Sequence, residues 1–296
     1  MSTTPPFGRQ LTAMVTPMRP DGALDLDGAQ KVASHLLDTG HDGVIVNGTT
    51  GESATTSDDE KSRVVAAVAQ ALGDRGHVIA GVGSNDTAHS VRCAKEAEAA
   101  GATGLLVVTP YYNKPTQDGV HAHFVAVADA TDLPVMVYDI PGRTGTPIET
   151  ATLLRLADHP AIVAVKDAKG DLWAASLVMR ETDLQWYSGD DVANLAHLTQ
   201  GAAGIASVVG HVAGTLYAEM LTCVASGDLP RAIEIHRQLI PAVEAIMNTS
   251  QGAIMAKAAL RQLGIIDSAA VRLPLLQSPP SHLAKLREGL SQSGIS

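Results

Sequence analysis

The chain has 296 residues, 45% apolar and 18% charged, the profile of an ordinary globular protein rather than a disordered, fibrous or membrane-spanning one. Its formal charge of −10, with no long basic run to offset it, argues against nucleic acid and anionic membranes as partners. Cys93 and Cys223 lie far apart and outside any CxxC pattern, which reads as two buried reduced thiols in a cytoplasmic protein.

At the N-terminus, Met1–Gln10 lacks the apolar core of a signal peptide, and nowhere does a run reach the ~18 apolar residues of a membrane span. Short Val- and Ile-rich runs then recur. Strand ends are expected near Thr16 (LTAMVT), Val46 (GVIV), Gly81 (HVIAG), Val108 (GLLVV), Tyr138 (PVMVY), Lys166 (AIVAVK), Gly189 (WYSG) and Ser207 (GIAS). Between them Ser57–Leu72, Thr87–Ala100 and Gln117–Ala130 read as helices, the first opened by an S-x-x-E capping box of Ser57 and Glu60. Strands alternating with helices imply parallel pairing and right-handed crossovers. Eight such units within roughly 200 residues point to an α/β fold closed as a (β/α)₈ TIM barrel, although a doubly wound open sheet shares the pattern locally. After Val208 the rhythm changes, and Leu229–Met247, Ile254–Leu263 and His282–Leu290 read as helices with no strand between them. The expected organisation is a catalytic barrel over residues 1–226 and a C-terminal helical extension, residues 227–296, packed on it.

In such a barrel the chemistry collects at the C-terminal ends of the strands. Lys166 ends the otherwise apolar run Ile162–Val165. Period-2 alternation puts it on one face with Ala164 and leaves Val163 and Val165 on the other, so the lysine points into the barrel. Desolvation there lowers an amine's pKa and supplies the neutral nucleophile that Schiff-base chemistry needs. The alternative is a lysine that reaches the barrel mouth and pairs with Asp167 or Asp191. Lys169, three residues on, reads as solvated. Tyr138 ends the neighbouring strand, within reach of that amine, and is either a proton relay or a core tyrosine. Arg143, after a Pro-Gly turn, is either a bidentate carboxylate ligand or a surface residue. The turn Gly48–Ser53 offers backbone N–H groups and hydroxyls to an anion but lacks the lysine and spacing of a phosphate loop. No cofactor motif stands out. Metal binding is not indicated, since His121 and His123 diverge on a helix and Asp21–Gly28 lacks the calcium-loop spacing.

The motifs GTTGES, TPYYNKP, YDIPGRTG, VKDAKGD and SGDD stand in the order and spacing of one family. From about Thr12 to Leu290 the chain resembles the dihydrodipicolinate (4-hydroxy-tetrahydrodipicolinate) synthases, pyruvate-dependent class I aldolases, most closely their actinobacterial forms. The resemblance implies that Lys166 forms an imine with pyruvate and that Tyr138 donates and accepts protons. It implies that Thr49 and Tyr112 complete a proton relay, with Tyr112 reaching across a dimer interface. Thr50 would bind the pyruvate carboxylate, Ala206 would offer its backbone carbonyl, and Arg143 would hold the carboxylate of aspartate semialdehyde. The implied setting is diaminopimelate and lysine biosynthesis by a homo-oligomer, a dimer of dimers (a homotetramer). At position 206 the family usually carries a larger apolar residue. Asp58, Lys61 and His89 replace the two histidines and the glutamate of lysine-inhibited members, which implies that the allosteric lysine site is lost.

The nearest rivals are sister enzymes, N-acetylneuraminate lyases and keto-deoxy sugar-acid aldolases or dehydratases, which share the lysine and tyrosine but generally lack the arginine of IPGRTG. Arg143 therefore favours aspartate semialdehyde. A barrel retained only for binding or regulation would show damage among Lys166, Tyr138, Thr49 and Tyr112, and all four are present.

Overall fold

The computed structural model describes residues 5–295. Eight parallel strands, β1 (Gln10–Ala13), β2 (Gly43–Val46), β3 (His77–Gly81), β4 (Gly104–Val108), β5 (Val135–Asp139), β6 (Ile162–Asp167), β7 (Gln185–Ser188) and β8 (Gly204–Ser207), close into a barrel in sequence order. The helices on its outside are α1 (Leu26–Asp38), α2 (Asp58–Leu72), α3 (Thr87–Ala99), α4 (Gln117–Ala128), the single turn α5 (Pro141–Thr144), α6 (Thr150–Leu156), α7 (Leu172–Glu181), α8 (Asn194–Thr199) and α9 (Gly210–Ser226). Three more follow: α10 (Leu229–Val243), continued by a π-helical turn at Glu244–Asn248, then α11 (Gly252–Gln262) and α12 (Pro280–Gln292). α10 packs against α9 and α12, and α11 against α9. No helix among the described residues is long and apolar enough to cross a membrane.

Local chemistry explains the boundaries. The capping box opens α2, with the Glu60 amide donating to Ser57 Oγ and the Ser57 amide to Glu60 Oε2 at 2.9 Å. β1 stops three residues short of the expected Thr16. The Met14 amide still donates to the β2 carbonyl of Ile45, but the Val15 amide turns to His211 Nε2 at 3.0 Å on α9, and Thr16 bonds the Gly51 carbonyl instead of the ladder. Pro241 lies inside α10 and withholds an amide, and the helix gives way to the wider π turn one residue past Val243.

Two apolar layers result. Between sheet and helices lies the larger one, to which Val44, Val107, Val137 and Val165 belong. Inside the barrel, Phe7, Leu11, Ile45, Ile79, Leu106, Met136, Ala164, Tyr187 and Ala206 fill the bore, a packed core rather than a pore. Alternation fails once. Ile162 pairs with Val135 but Ala164 with Met136, so Val163 is an extra residue in a bulge. Val163 therefore packs half-buried against the inner cluster, and only Val165 occupies the outer face that both were expected to share. Beyond the bulge the register recovers, and Tyr138 stands opposite Lys166.

Candidate active site

Lys166 and Tyr138 reach the same end of the bore because β5 and β6 are adjacent and both side chains point inward. Lys166 is 3% exposed, and its Nζ lies 4.5 Å from the centroid of the Tyr138 ring. The amine thus sits over the ring face rather than on the hydroxyl. Burial pushes the Lys166 pKa down to about 8, with only the charge of Asp191 pulling it back. The same burial raises the Tyr138 phenol well above its ordinary value, keeping it protonated.

Neither carboxylate that might have paired with the lysine is free to do so. Asp167 points outward and takes the amides of Lys169 at 2.7 Å and Gly170 at 3.2 Å. Asp191 takes the amides of Val208 and Val209, the Tyr217 hydroxyl at 2.8 Å and the Ser207 hydroxyl. No carboxylate among the described residues forms an ion pair with Lys166. Room for its chain depends on Gly189, where a Cβ would stand 2.8 Å from Lys166 Cγ and 3.0 Å from the Asp167 carbonyl. Lys169 is half-buried, with Nζ 3.5 Å from the Ile148 carbonyl, rather than solvated.

A cleft in two lobes opens above the lysine. The inner lobe, about 200 Å³, is lined by Thr49, Thr50, Tyr138, Arg143, Lys166 and Gly189 among others. An outer lobe of about 350 Å³ shares Thr49, Tyr138 and Arg143 with it and runs on to Tyr111, Lys61 and His89. Thr49 and Thr50 are carried there by the turn between β2 and α2, whose backbone takes positive φ at Asn47 and Glu52 (both 56°). The Glu52 amide donates to the Thr49 carbonyl at 3.1 Å and the Ser53 amide to the Gly48 carbonyl at 3.3 Å, so this turn is internally bonded. Arg143 is presented by α5, the single turn that Pro141 opens and Gly145 ends in the left-handed region. Its exposed guanidinium looks over both lobes.

Two of the expected residues are not among those that line the cleft. The Ala206 side chain is fully buried in the bore, and the nearest residue that lines the cleft is Val208, one position past the end of β8. Tyr112 is 88% exposed and does not line this chain's own cleft, whereas Tyr111 does. Tyr112 also holds φ at 72°, a left-handed backbone that a bulky residue adopts only at a cost. Its amide donates to the Thr144 carbonyl at 3.3 Å, tying its loop to α5.

Cys93 joins two residues that the sequence singles out for another reason. Asp58, His89 and Cys93 approach closely enough to share a metal ion. Both Asp58 oxygens are already taken, however, by His89 Nε2 at 2.8 Å and Lys61 Nζ at 3.1 Å. Burial pushes the Asp58 carboxyl up, but these hydrogen bonds outweigh it and hold it below its usual range. An ammonium on the same carboxylate opposes a cation, so the residues fit a metal poorly.

The sequence profile of the Dihydrodipicolinate synthetase family matches residues 6–293. A 4-hydroxy-tetrahydrodipicolinate synthase of Kineococcus radiotolerans is 57% identical over 290 residues, 98% of this chain and 94% of the relative. A second such enzyme, from Streptomyces coelicolor, is 54% identical over 290 residues, covering 98% and 96% of the two chains. Among solved structures, the family member from Cyanidioschyzon merolae with lysine bound superposes with a TM-score of 0.95 at 40% identity, over 99% of this chain and all of that one.

Proposed function

This chain belongs to the dihydrodipicolinate synthetase family, and from that membership we propose that its cleft makes 4-hydroxy-tetrahydrodipicolinate from pyruvate and L-aspartate 4-semialdehyde through an imine on Lys166. It is a lyase of the class I aldolase type, serving lysine and diaminopimelate biosynthesis. The observation that carries the residue assignment is the amine itself, buried, unpaired by any described carboxylate and pushed down to about 8.

The neutral Nζ adds to the keto carbon of pyruvate and loses water to form the iminium. Loss of a proton from the methyl carbon gives the enamine, which attacks the aldehyde carbon of the second substrate. The amine of that substrate then closes the ring on the imine carbon and releases Lys166. Tyr138, with its ring against Nζ, is placed to carry protons in these steps. Thr50, on the internally bonded turn, binds the pyruvate carboxylate, and Thr49 passes protons outward. The Ala206 carbonyl is assigned to the pyruvate end, and Arg143 holds the carboxylate of the semialdehyde in a fork. Tyr112 acts in a neighbouring subunit's cleft, which accounts for its exposure and strained backbone. The working unit is therefore at least a dimer, within a dimer of dimers, and the setting is cytoplasmic.

The test is product identification from pyruvate with a panel of aldehydes, parent against Arg143→Ala. Aspartate semialdehyde should be condensed preferentially by the parent, and the variant should lose affinity for it by about tenfold or more, the value of one charge-assisted bidentate contact. Equal use of a neutral sugar-derived aldehyde would contradict the assignment.

A further inference from the structure

The turn that carries Thr49 and Thr50 is not held by the barrel alone. Lys257, on α11, is 0% exposed, and its Nζ forms an ion pair with Glu52 Oε1 and donates to the Ala270 carbonyl at 2.7 Å. The other Glu52 oxygen accepts the Arg272 amide at 3.0 Å. Arg272 in turn donates through its side chain to the Thr55 carbonyl and to both carboxylate oxygens of Glu60, each within 2.7 Å. Two cations from beyond the barrel thus fasten the far shoulder of the substrate-facing turn.

Glu52 stands three residues from Thr49 with φ at 56°. Glycine would adopt that conformation freely, whereas a glutamate persists there only where its surroundings over-determine it. A buried ion pair is weak evidence for stability, since two apolar groups would pack at less desolvation cost. What it supplies is direction, a fixed point for a carboxylate whose own backbone is strained. The start of α11 also reaches the cleft, because Gln251 lines both lobes.

We propose that Lys257 is a positioning residue for the reaction: its buried pair with Glu52 locks the turn so that Thr49 and Thr50 face the pyruvate held by Lys166. The C-terminal helices thereby take part in catalysis rather than only covering the barrel. This rests on the assignment of Thr49 and Thr50 to the pyruvate end of the cleft.

The experiment compares parent, Lys257→Met and Lys257→Arg at a temperature where circular dichroism and sizing show all three folded and equally assembled. Readouts are kcat, the KM for each substrate, and the rate at which borohydride traps pyruvate on Lys166. Lys257→Met should lose about tenfold or more in kcat and trapping rate, with a raised KM for pyruvate but a KM for aspartate semialdehyde within about twofold of the parent. Lys257→Arg should recover part of the loss. Should Lys257→Met fail to fold, Glu52→Gln, which keeps the shape and one hydrogen bond, is read the same way. A variant that melts lower yet keeps kcat and the pyruvate KM within about twofold overturns the proposal and leaves the pair purely structural. A parent that traps no pyruvate on Lys166 instead denies the functional assignment on which it rests.

Discussion

Replacing Lys166 with methionine should destroy activity and stabilise the protein. The fold buries this ammonium to 3% exposure with no described carboxylate in ion-pair reach, and pushes its pKa from 10.5 to about 8. At about 1.4 kcal/mol per unit, that shift corresponds to roughly 3 kcal/mol of destabilisation carried by the charged amine. Methionine keeps the unbranched chain that threads past Gly189 and removes the charge. Allowing for its own rotamer cost, the gain should be about 1–3 kcal/mol. For a chain of this size that is a rise in melting temperature of about 2–6 °C. Because the folded pKa lies below the unfolded one, the unfolded chain binds more protons between about 8 and 10.5. The parent therefore gains stability as pH rises through that window. The handicap is complete below about 8 and gone above 10.5, so the variant should lead most at pH 7 and little near pH 10. The assay is thermal unfolding of parent and Lys166→Met across that range. A variant that melts at or below the parent at pH 7, or whose lead is as large at pH 10, would refute the reasoning.

Gly189→Ala should fold but lose on the order of a hundredfold in kcat, because its Cβ, 2.8 Å from Lys166 Cγ, must push the lysine off its position over Tyr138; normal turnover would show that the lysine has slack there. Mixing and reassembling inactive Tyr112→Phe with inactive Lys166→Ala should restore part of the activity, since mixed dimers put both lesions in one cleft and leave the other whole. No recovery, or a fully active monomer on sizing, contradicts the shared site. Lysine up to about 1 mM, a level equivalent to roughly 4 kcal/mol of binding, should leave the initial rate unchanged. Lys61 and His89 already occupy both oxygens of Asp58, so no free carboxylate of that group waits for an ammonium; half-inhibition below that concentration would overturn the claim.

Periodic features were legible in the sequence: the eight apolar runs, the Ser57–Glu60 box, and the inward face of Lys166 and Ala164 all follow from spacing along one strand or helix. So was the clustering of motifs at strand ends, because a barrel brings those ends together whatever the loops do. Departures came where a distant group competes with the local pattern. β1 ends at Ala13 because His211, on α9, takes the Val15 amide. The Val163 bulge depends on register against β5, which no single strand encodes. The pair of Lys257 with Glu52 joins residues 205 apart, and its sole local trace is a charged residue in an otherwise apolar helix segment. Asp191 gathers Ser207, Tyr217 and two α9-proximal amides into one buried knot, and a single acid in a loop gives no hint of that.

Imine formation on Lys166 is the step on which the whole account depends. Borohydride reduction of the protein in the presence of pyruvate, followed by peptide mapping, reads it out directly. The adduct should appear on the peptide containing Lys166, and its initial rate should rise with pH toward a plateau above about 8, as the amine loses its proton. A pyruvate-derived mass on Lys114, Lys169 or Lys257, or on no lysine at all, would contradict it.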